Sequence, residues 1–166
     1  MKIEFYLFDL KKYLTNSNPR TSSVEVSITA QRKVEFFEQS KKKRELEIMR
    51  VLVADDSGIM RKIIIRSLNS VGVTDIVEAA DGQEAINAYN SEIDLILTDW
   101  NMPNKSGLDV VNEIRGQGST VPIIMVTTEA QKGQVIAAIQ AGVSDYLTKP
   151  FEADDLRAKL DKFVTA

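Results

Sequence analysis

From Arg50 onward the chain alternates short β-branched runs with segments of helical spacing, and this alternation restricts the possible folds more than any other feature. Two of the runs, at 51–53 and 95–97, are continuously apolar, as expected for strands that are buried on both faces of a sheet. Alternation at this spacing predicts βαβ units and a parallel sheet covered by helices on both sides. The strands are predicted at 50–54, 75–79, 94–98, 121–126 and 145–149.

Segments of helical spacing separate these strands and follow the last one. The first predicted helix places Ile59, Ile63 and Leu68 on one apolar face, and Ser57 stands just before it as an N-cap. Five strand–helix units predict a small doubly wound α/β domain, in which ligands bind at the carboxyl ends of the strands. The helices are predicted at about 57–70, 82–90, 106–116, 130–141 and 152–164.

The first 48 residues follow a different pattern, so we predict an N-terminal extension at 1–48 and a main domain at 49–166. Within the extension, "VEVSITA" at 24–30 alternates like a half-exposed strand, "NSNPR" at 16–20 predicts a turn, and 31–48 predicts a charged helix. The extension is therefore interpreted as a strand or hairpin followed by a helix.

The end of the extension allows two further interpretations. Translation of a purine-rich ribosome-binding site would yield a run such as "KKKRE", and "MRVLVADDS" resembles a natural start, so that Met49 would be the true first residue and the extension would not be native. Alternatively the run "KKKR" binds nucleic acid or a membrane surface, although charges without interleaved aromatic residues usually form only a solvated face.

Composition narrows the chemistry that is available to the chain. Cysteine and histidine are absent, which excludes disulfides, thiolate metal sites, Ser-His-Asp and Cys-His catalysis and most zinc sites. No apolar run reaches the roughly 18 residues of a membrane helix, and the N-terminus lacks the apolar core of a signal peptide. The main domain holds eleven basic and seventeen acidic residues, so it is poorly suited to nucleic acid.

Carboxylates follow two of the predicted strands. Asp55 and Asp56 end the first strand, and Asp99 ends the third. Neighbouring parallel strands would bring the three carboxylates to one edge of the sheet, where they raise one another's pKa unless a cation intervenes. A site of oxygen ligands suits Mg²⁺. The pair at 55–56 is also compatible with an ordinary turn and cap, and the convergence with Asp99 favours the metal site.

A hydroxyl and an amine are predicted at the same edge. Thr127 and Thr128 follow the fourth strand, and Lys149 ends the fifth, directly before Pro150, which is a candidate for a cis peptide bond. An anionic acceptor, a metal, a hydroxyl donor and an ammonium group are the parts that phosphoryl transfer requires, and a carboxylate can be the covalent acceptor. The edge is therefore a candidate phosphoryl-transfer site.

Four motifs and their spacing carry a specific resemblance: "ADDS" at 54–57, "TDWNMPNKSG" at 98–107, "MVTTEA" at 125–130 and "AGVSDYLTKPF" at 141–151. By these motifs residues 50–166 resemble the receiver domain of bacterial two-component response regulators, most closely the single-domain chemotaxis regulators of the CheY type. The resemblance implies a flavodoxin-like fold, a five-stranded doubly wound parallel sheet in the order 2-1-3-4-5. Nothing in the extension takes part in it.

The resemblance also assigns roles to individual residues. It implies that Asp99 is the phosphoacceptor and that Mg²⁺ is held by Asp56, Asp99 and the backbone carbonyl of Asn101, with Asp55 acting through water. Lys149 would pair with the phosphoryl group. The phosphoryl group would come from a sensor histidine kinase of the CheA type, in the cytoplasm.

Further positions are implied to switch the molecule and to set the lifetime of the phosphoryl group. Thr127 would move toward the phosphoryl group and Tyr146 would follow it, while Asn101 and Glu129 would flank the attacking water. Thr128 departs from the chemotaxis regulators, which carry Ala there, and a larger side chain would slow access to the site. The protein would support its own phosphotransfer and slow autodephosphorylation without being a classical enzyme.

The segment 130–164 is implied to be the face that changes on phosphorylation. Lys132, Tyr146 and Lys159 occupy the positions that contact the target in the chemotaxis regulators, where the target is the flagellar motor switch or a phosphatase. Both lysines are equally compatible with ordinary solvated helix surface.

Three other functions fit parts of the pattern. A phosphorelay shuttle would pass its phosphoryl group to a histidine phosphotransfer protein. A magnesium-dependent phosphatase with an aspartyl-phosphate intermediate usually has a second Asp two residues after the nucleophile, where this chain has Asn101. A flavin-binding protein needs a hydroxyl-rich phosphate loop after the first strand, and "DDSG" would repel a phosphate without a metal.

Overall fold

The structure is a computed structural model that describes the backbone of residues 23–128 and 132–164, and the side chains of residues 31–128 and 133–164. The chain divides into two units, Met1–Lys41 and Lys42–Ala166. Helix α1 (Ser23–Ile48) begins in the first unit and ends in the second. The sheet and all later helices belong to the second unit.

Helix α1 contradicts one prediction for the extension and confirms another. Residues 24–30 are helical, so the predicted strand is wrong, whereas the charged helix over 31–48 is confirmed. A short alternation fits either structure, and a helix satisfies its backbone hydrogen bonds without the partner strand that a sheet requires. The turn predicted at 16–20 lies outside the described residues, and the division of the chain at residue 48 remains a prediction.

The sheet has five parallel strands in the order β2-β1-β3-β4-β5, which confirms the doubly wound topology. The fourth strand starts later than predicted because Pro122, which has no backbone N–H, precedes it and only accepts a hydrogen bond, from Ile96. The strands are β1 (Arg50–Ala54), β2 (Asp75–Ala79), β3 (Leu95–Thr98), β4 (Ile123–Thr127) and β5 (Asp145–Thr148).

One helix follows each strand, as predicted, although several are shorter than expected. No helix in the described part of the chain is long and apolar enough to cross a membrane. Ser57 caps the first of these helices by accepting a hydrogen bond from the Met60 amide at 3.4 Å, which confirms its predicted role. The helices are α2 (Gly58–Val71), α3 (Gly82–Ala88), α4 (Gly107–Gly116), α5 (Lys132–Ala141) and α6 (Ala153–Leu160).

The core lies on both faces of the sheet. Alternate residues of β1 enter different clusters: Val51 and Val53 pack with residues of α2 and α6, whereas Leu52 packs with residues of α3 and α4. The strands β3 and β4 divide in the same way. Complete burial on both faces explains why these strands read as continuous apolar runs.

The buried face of α2 differs from the prediction. Ile64 and Leu68 are buried, whereas Ile59 is 74% exposed and Ile63 is 41% exposed. Three consecutive isoleucines make several faces of this helix equally apolar, so their spacing does not select one. The observed orientation brings Arg61 under the sheet edge, where its guanidinium donates to the Asp55 backbone carbonyl at 2.6 Å.

Candidate functional site

Three charged side chains meet at the carboxyl edge of the sheet. The Lys149 Nζ donates to Asp55 Oδ2 at 2.6 Å and to Asp99 Oδ1 at 2.8 Å. The side chains are only 9%, 1% and 12% exposed, respectively. Ammonium–carboxylate hydrogen bonds shielded from water are stronger than exposed ones. The sequence prediction that these residues share one edge is thus confirmed in position.

The backbone holds the three residues at this edge by extending the strand ladders. The Asp55 amide donates to the Ala79 carbonyl at 3.2 Å, and the Asp99 amide donates to the Ala54 carbonyl at 2.8 Å. The Lys149 amide donates to the Thr127 carbonyl at 2.9 Å. Each charged residue therefore sits one position beyond the end of a strand, where these backbone hydrogen bonds fix the main chain. Lys149–Pro150 is a cis peptide bond, as predicted.

Asp55 is the most buried acid of the site. Its Oδ1 accepts from the Ser57 amide at 2.8 Å, while its Oδ2 accepts from Lys149. Arg61, held by Glu78 at 3.3 Å, supplies a second positive charge next to the Asp55 backbone. A buried carboxylate needs such partners because its desolvation is costly. Asp55 therefore has a fixed orientation and a fixed charge environment.

The pKa values of Asp99 and Lys149 move in the same direction. Burial raises the pKa of Asp99, and the negative charge of Asp55 adds to this effect, while the hydrogen bond and charge of Lys149 oppose it. Burial alone would lower the pKa of Lys149, but the hydrogen bonds and charges of Asp55 and Asp99 outweigh burial and raise it. Burial is thus the main reason why the pKa of Asp99 stays raised, and Lys149 offsets the effect of burial only in part.

The three carboxylates do not form the predicted cluster. Lys149 stands between Asp55 and Asp99, and the Asp56 side chain is exposed. Across the described residues, no group of three or more acidic side chains is close enough to hold a metal. Mg²⁺ needs only one or two carboxylates, because waters complete its octahedral shell. The oxygen donors of Asp56, Asp99 and the Asn101 carbonyl therefore still suit this ion chemically.

The loop after β3 folds back over the phosphoacceptor candidate. The Asn101 amide donates to Asp99 Oδ2 at 3.1 Å, and the Gly107 amide donates to the Trp100 carbonyl at 2.9 Å. A Cβ at Gly107 would overlap the Asp99 carbonyl oxygen and would lie 3.1 Å from the Met125 sulfur, so this position has room only for glycine. Trp100 is half-buried and packs against the core next to the site.

Two of the predicted switch residues lie on strands, Thr127 on β4 and Tyr146 on β5. Thr127 is the last residue of β4 and is buried, whereas Thr128 is exposed. The Tyr146 hydroxyl donates to the Gln134 carbonyl at a long 3.4 Å, which connects β5 to α5. Burial raises the pKa of Tyr146. Glu129 lies outside the described residues.

The predicted partner face contains an ion-pair cluster that sequence reasoning missed. Asp145 Oδ1 accepts from Lys159 at 2.7 Å and its Oδ2 accepts from Lys162 at 2.6 Å. The Tyr146 amide donates to the same carboxylate at 2.7 Å. These contacts join β5 to α6 and to Lys162, two residues after the end of α6, and no spacing within either element signals them. Nothing is described of the Lys132 side chain.

A model of the response regulator receiver domain matches residues 51–161, which include the whole sheet except Arg50, the first residue of β1. The chain belongs to the response regulator receiver domain family. The resemblance seen in the motifs is thereby confirmed, together with the flavodoxin-like fold. Receiver domains act in two-component, phosphorylation-dependent signalling and are not classical enzymes.

Relatives of the receiver domain include proteins named for chemotaxis. The chain is 44% identical over 117 residues to chemotaxis protein CheY1 of Helicobacter pylori, covering 68% of this chain and 94% of that protein. It is 41% identical over 117 residues to chemotaxis protein CheY of Pseudomonas aeruginosa, covering 69% and 94%. The solved structure of chemotaxis protein CheY4 of Vibrio cholerae matches with a TM-score of 0.65 and 32% identity, covering 71% of this chain and 99% of that one.

Proposed function

We propose that the protein is a signalling switch that accepts a phosphoryl group on Asp99 from a sensor histidine kinase. The single observation that carries the proposal is the Lys149 ammonium held at hydrogen-bond distance from both Asp55 and Asp99 at the carboxyl edge of the sheet. Such a site offers a carboxylate nucleophile beside a positive charge that can pair with phosphoryl oxygens.

In the proposed reaction an Asp99 carboxylate oxygen attacks the phosphorus of a phosphohistidine. The new P–O bond forms as the P–N bond breaks, and the departing imidazole nitrogen takes up a proton from solvent. The Asn101 amide, which donates to Asp99 at 3.1 Å, holds the nucleophile in orientation. Lys149 then exchanges its bond to Asp99 for one to the phosphoryl group, while Asp55 keeps it in place.

Mg²⁺ is the proposed cofactor of this site. Asp56, Asp99 and the Asn101 carbonyl would hold the ion, with Asp55 acting through a water molecule. When bound, the ion neutralises phosphoryl oxygens. The exposed position of Asp56, directly beside the buried Asp55, supports an ion that keeps several of its waters.

The proposed switch runs from Thr127 to the face formed by α5, β5 and α6. Thr127 moves toward the phosphoryl group and Tyr146 follows, a shift between two pre-existing states. The long Tyr146–Gln134 hydrogen bond supports this because it is weak and costs little to break. Lys132, Tyr146 and Lys159 would then meet the target.

Chemotaxis is the proposed pathway, since the relatives described above are chemotaxis proteins. The kinase would be of the CheA type, and the target a flagellar motor switch protein or a phosphatase, in the cytoplasm. The protein would support its own phosphotransfer and lose the phosphoryl group slowly. Asn101, Glu129 and Thr128 are proposed to set that rate, and unchanged decay in variants of all three would contradict this part.

Two rival functions remain distinct in their observable behaviour. A phosphorelay shuttle would pass its phosphoryl group on to a histidine phosphotransfer protein, whereas the proposed switch binds a target only when phosphorylated. A phosphatase would turn over phosphomonoesters repeatedly, and Asn101 in place of a second acid argues against it.

Fluorescence of Trp100 tests the proposal, since this single tryptophan adjoins Asp99 and is half-buried. Mg²⁺ and then acetyl phosphate are added to the parent protein and to Asp99→Asn. We expect Mg²⁺ to change the signal and acetyl phosphate to change it further only when Asp99 is present. An identical response of both proteins to acetyl phosphate would contradict phosphorylation at Asp99.

A further inference from the structure

The loop between β3 and α4 is anchored at its far end by a side chain that the proposed reaction does not use. Asn104 is the one non-glycine residue with a positive φ, 62°, among the described residues. Asparagine tolerates this left-handed conformation better than most residues, but it still carries a cost that the surroundings must offset. A contact made by its side chain is therefore to be expected.

That contact is made with the first turn of α3. The Asn104 side-chain amide donates to Asp81 Oδ2 at 2.6 Å. The other oxygen of the same carboxylate, Oδ1, accepts from the Glu84 amide at 2.7 Å and so caps α3. One carboxylate oxygen of Asp81 thus caps the helix, and the other binds the loop. The hydrogen bonds from Glu84 and Asn104 lower the pKa of Asp81, so the carboxylate stays ionised as an acceptor.

A close backbone approach accompanies this hydrogen bond. A Cβ at Gly82 would overlap the Lys105 carbonyl oxygen and would lie 2.6 Å from the Lys105 carbonyl carbon. Gly82 is buried, so the loop rests directly on the start of α3. Consecutive residues of the loop, Asn104 and Lys105, thus contact consecutive residues of the helix start, Asp81 and Gly82. Two independent contacts fix the loop at this point.

The near end of the same loop carries the site. Asn101 stands three residues before Asn104, and its amide donates to Asp99 Oδ2. The Lys105 amide donates to the Pro103 carbonyl at 2.7 Å, which makes the intervening turn tight. A loop this short transmits a displacement at Asn104 to Asn101.

We propose that Asp81 and Asn104 are positioning residues that set the Asn101 carbonyl and the Asp99 carboxylate for Mg²⁺ through their hydrogen bond, which we call the loop clamp. The inference rests on the proposed function, because it concerns the cation of that same site. Outer contacts that orient metal ligands typically change metal affinity by about 10-fold or more when they are lost. The loop clamp is such a contact, because Asn104 lies three residues after Asn101 in the same loop.

Asn104→Gly separates the loop clamp from the backbone conformation. Glycine keeps the positive φ without cost, so the variant loses the hydrogen bond but not the turn. Mg²⁺ affinity is read from Trp100 fluorescence, and unfolding free energy is measured by urea in the same buffer. We expect Mg²⁺ to bind about tenfold more weakly to Asn104→Gly. Asn87→Ala is the matched control, because it removes the Gln83–Asn87 hydrogen bond of α3, 3.1 Å long, away from the loop.

The exchange of both residues provides a rescue. In the double variant Asp81→Asn, Asn104→Asp the donor and acceptor of the loop clamp trade places, and the cap of α3 keeps a side-chain oxygen. We expect this variant to recover most of the Mg²⁺ affinity, which a merely structural role of Asn104 would not produce. Weakened binding without recovery would overturn the loop clamp.

The outcomes also separate the loop clamp from the function on which it rests. If the parent protein binds Mg²⁺ and Asn104→Gly binds it equally well, the loop clamp is wrong and the proposed function stands. If the parent protein shows no response to Mg²⁺, the proposed function fails at its cation and the loop clamp fails with it.

Discussion

At the residue scale the site depends on one cation shared by two anions. Lys149 contacts Asp55 and Asp99 at once, so these three side chains carry a formal charge of −1, and Asp56 brings the edge to −2. A divalent cation would neutralise this charge without displacing Lys149. The shared ammonium therefore serves both as the structural partner of two carboxylates and as the future partner of a phosphoryl group.

Replacement of the shared ammonium should be costly. We expect Lys149→Met to lower the unfolding free energy by about 3 kcal/mol at neutral pH, because it leaves two shielded carboxylates without their partner. Urea denaturation checks this. Lys162→Met is the matched control, since it removes a lysine that is 57% exposed from its contact with Asp145 and should cost less than about 1 kcal/mol. Equal effects of the two variants would show that Lys149 is only a surface charge.

The raised pKa of Asp99 predicts an unusual pH dependence. Burial is its main cause, so the folded protein binds this proton more tightly than the unfolded chain, and ionisation of Asp99 costs stability. Asp99→Asn should therefore raise the unfolding free energy at neutral pH. The gain should shrink as the pH falls through the raised pKa, which lies above 3.8, because the parent protein then becomes protonated.

A carboxylate with the opposite shift provides the control for this measurement. Hydrogen bonds from Ser106 lower the pKa of Asp109, so Asp109→Asn should reduce stability at neutral pH, and the loss should disappear as the parent carboxylate becomes protonated at low pH. Urea midpoints measured from neutral to acid pH test both the gain of stability expected for Asp99→Asn and the loss expected for Asp109→Asn. A loss of stability in Asp99→Asn at neutral pH would contradict the environment described for Asp99.

At the element scale, the start of α4 fixes the phosphoacceptor loop. Ser106 and Asp109 form a capping box at the start of this helix, and Gly107 lies against the Asp99 backbone. The residues that signal the start of the helix in the sequence therefore also position the loop that contains the site. Where the helix begins determines how closely the loop folds over Asp99.

Two glycines of α4 allow a matched test of this packing. Gly107→Ala should lower the unfolding free energy by roughly 1–3 kcal/mol, because its methyl group would overlap the Asp99 carbonyl oxygen. Gly116→Ala, at the other end of α4, meets nothing within 4 Å and should raise stability by up to about 1 kcal/mol through helix propensity. Thermal or urea unfolding distinguishes the loss of stability expected for Gly107→Ala from the gain expected for Gly116→Ala. Equal effects would show that the loop does not press on α4.

The end of α1 is the second element with a testable role. Leu46 is fully buried in the core that α2 and α6 share with β1, whereas Ile48, two residues later, is 79% exposed. Leu46→Ala should lower the unfolding free energy by about 2–5 kcal/mol, and Ile48→Ala should change it by less than about 0.5 kcal/mol. If Leu46→Ala lowers the unfolding free energy as little as Ile48→Ala does, the core does not need residues before Met49.

At the scale of the whole molecule, much of the fold could be predicted because parallel strands place their carboxyl ends at one edge. Because Asp55, Asp99 and Lys149 each follow or end a predicted strand, the sequence predicted that their side chains lie together at this edge. The orientation of α2 could not be predicted, since its consecutive isoleucines fit several faces. The strand expected at 24–30 failed because alternation over a few residues does not exclude a helix. Contacts between elements, such as Asn104 with Asp81, leave no periodic signal in either element.

The central claim is that Asp99 accepts a phosphoryl group, and intact-protein mass spectrometry after treatment with acetyl phosphate and Mg²⁺ tests it most directly. Asp99→Asn and Asp154→Asn, which changes an exposed carboxylate of α6, are treated alongside the parent protein. We predict that the parent protein and Asp154→Asn each gain one phosphoryl group, and that both require Mg²⁺ for this gain. Asp99→Asn should gain none. A phosphorylated Asp99→Asn protein, or a parent protein that is never phosphorylated, would contradict the account.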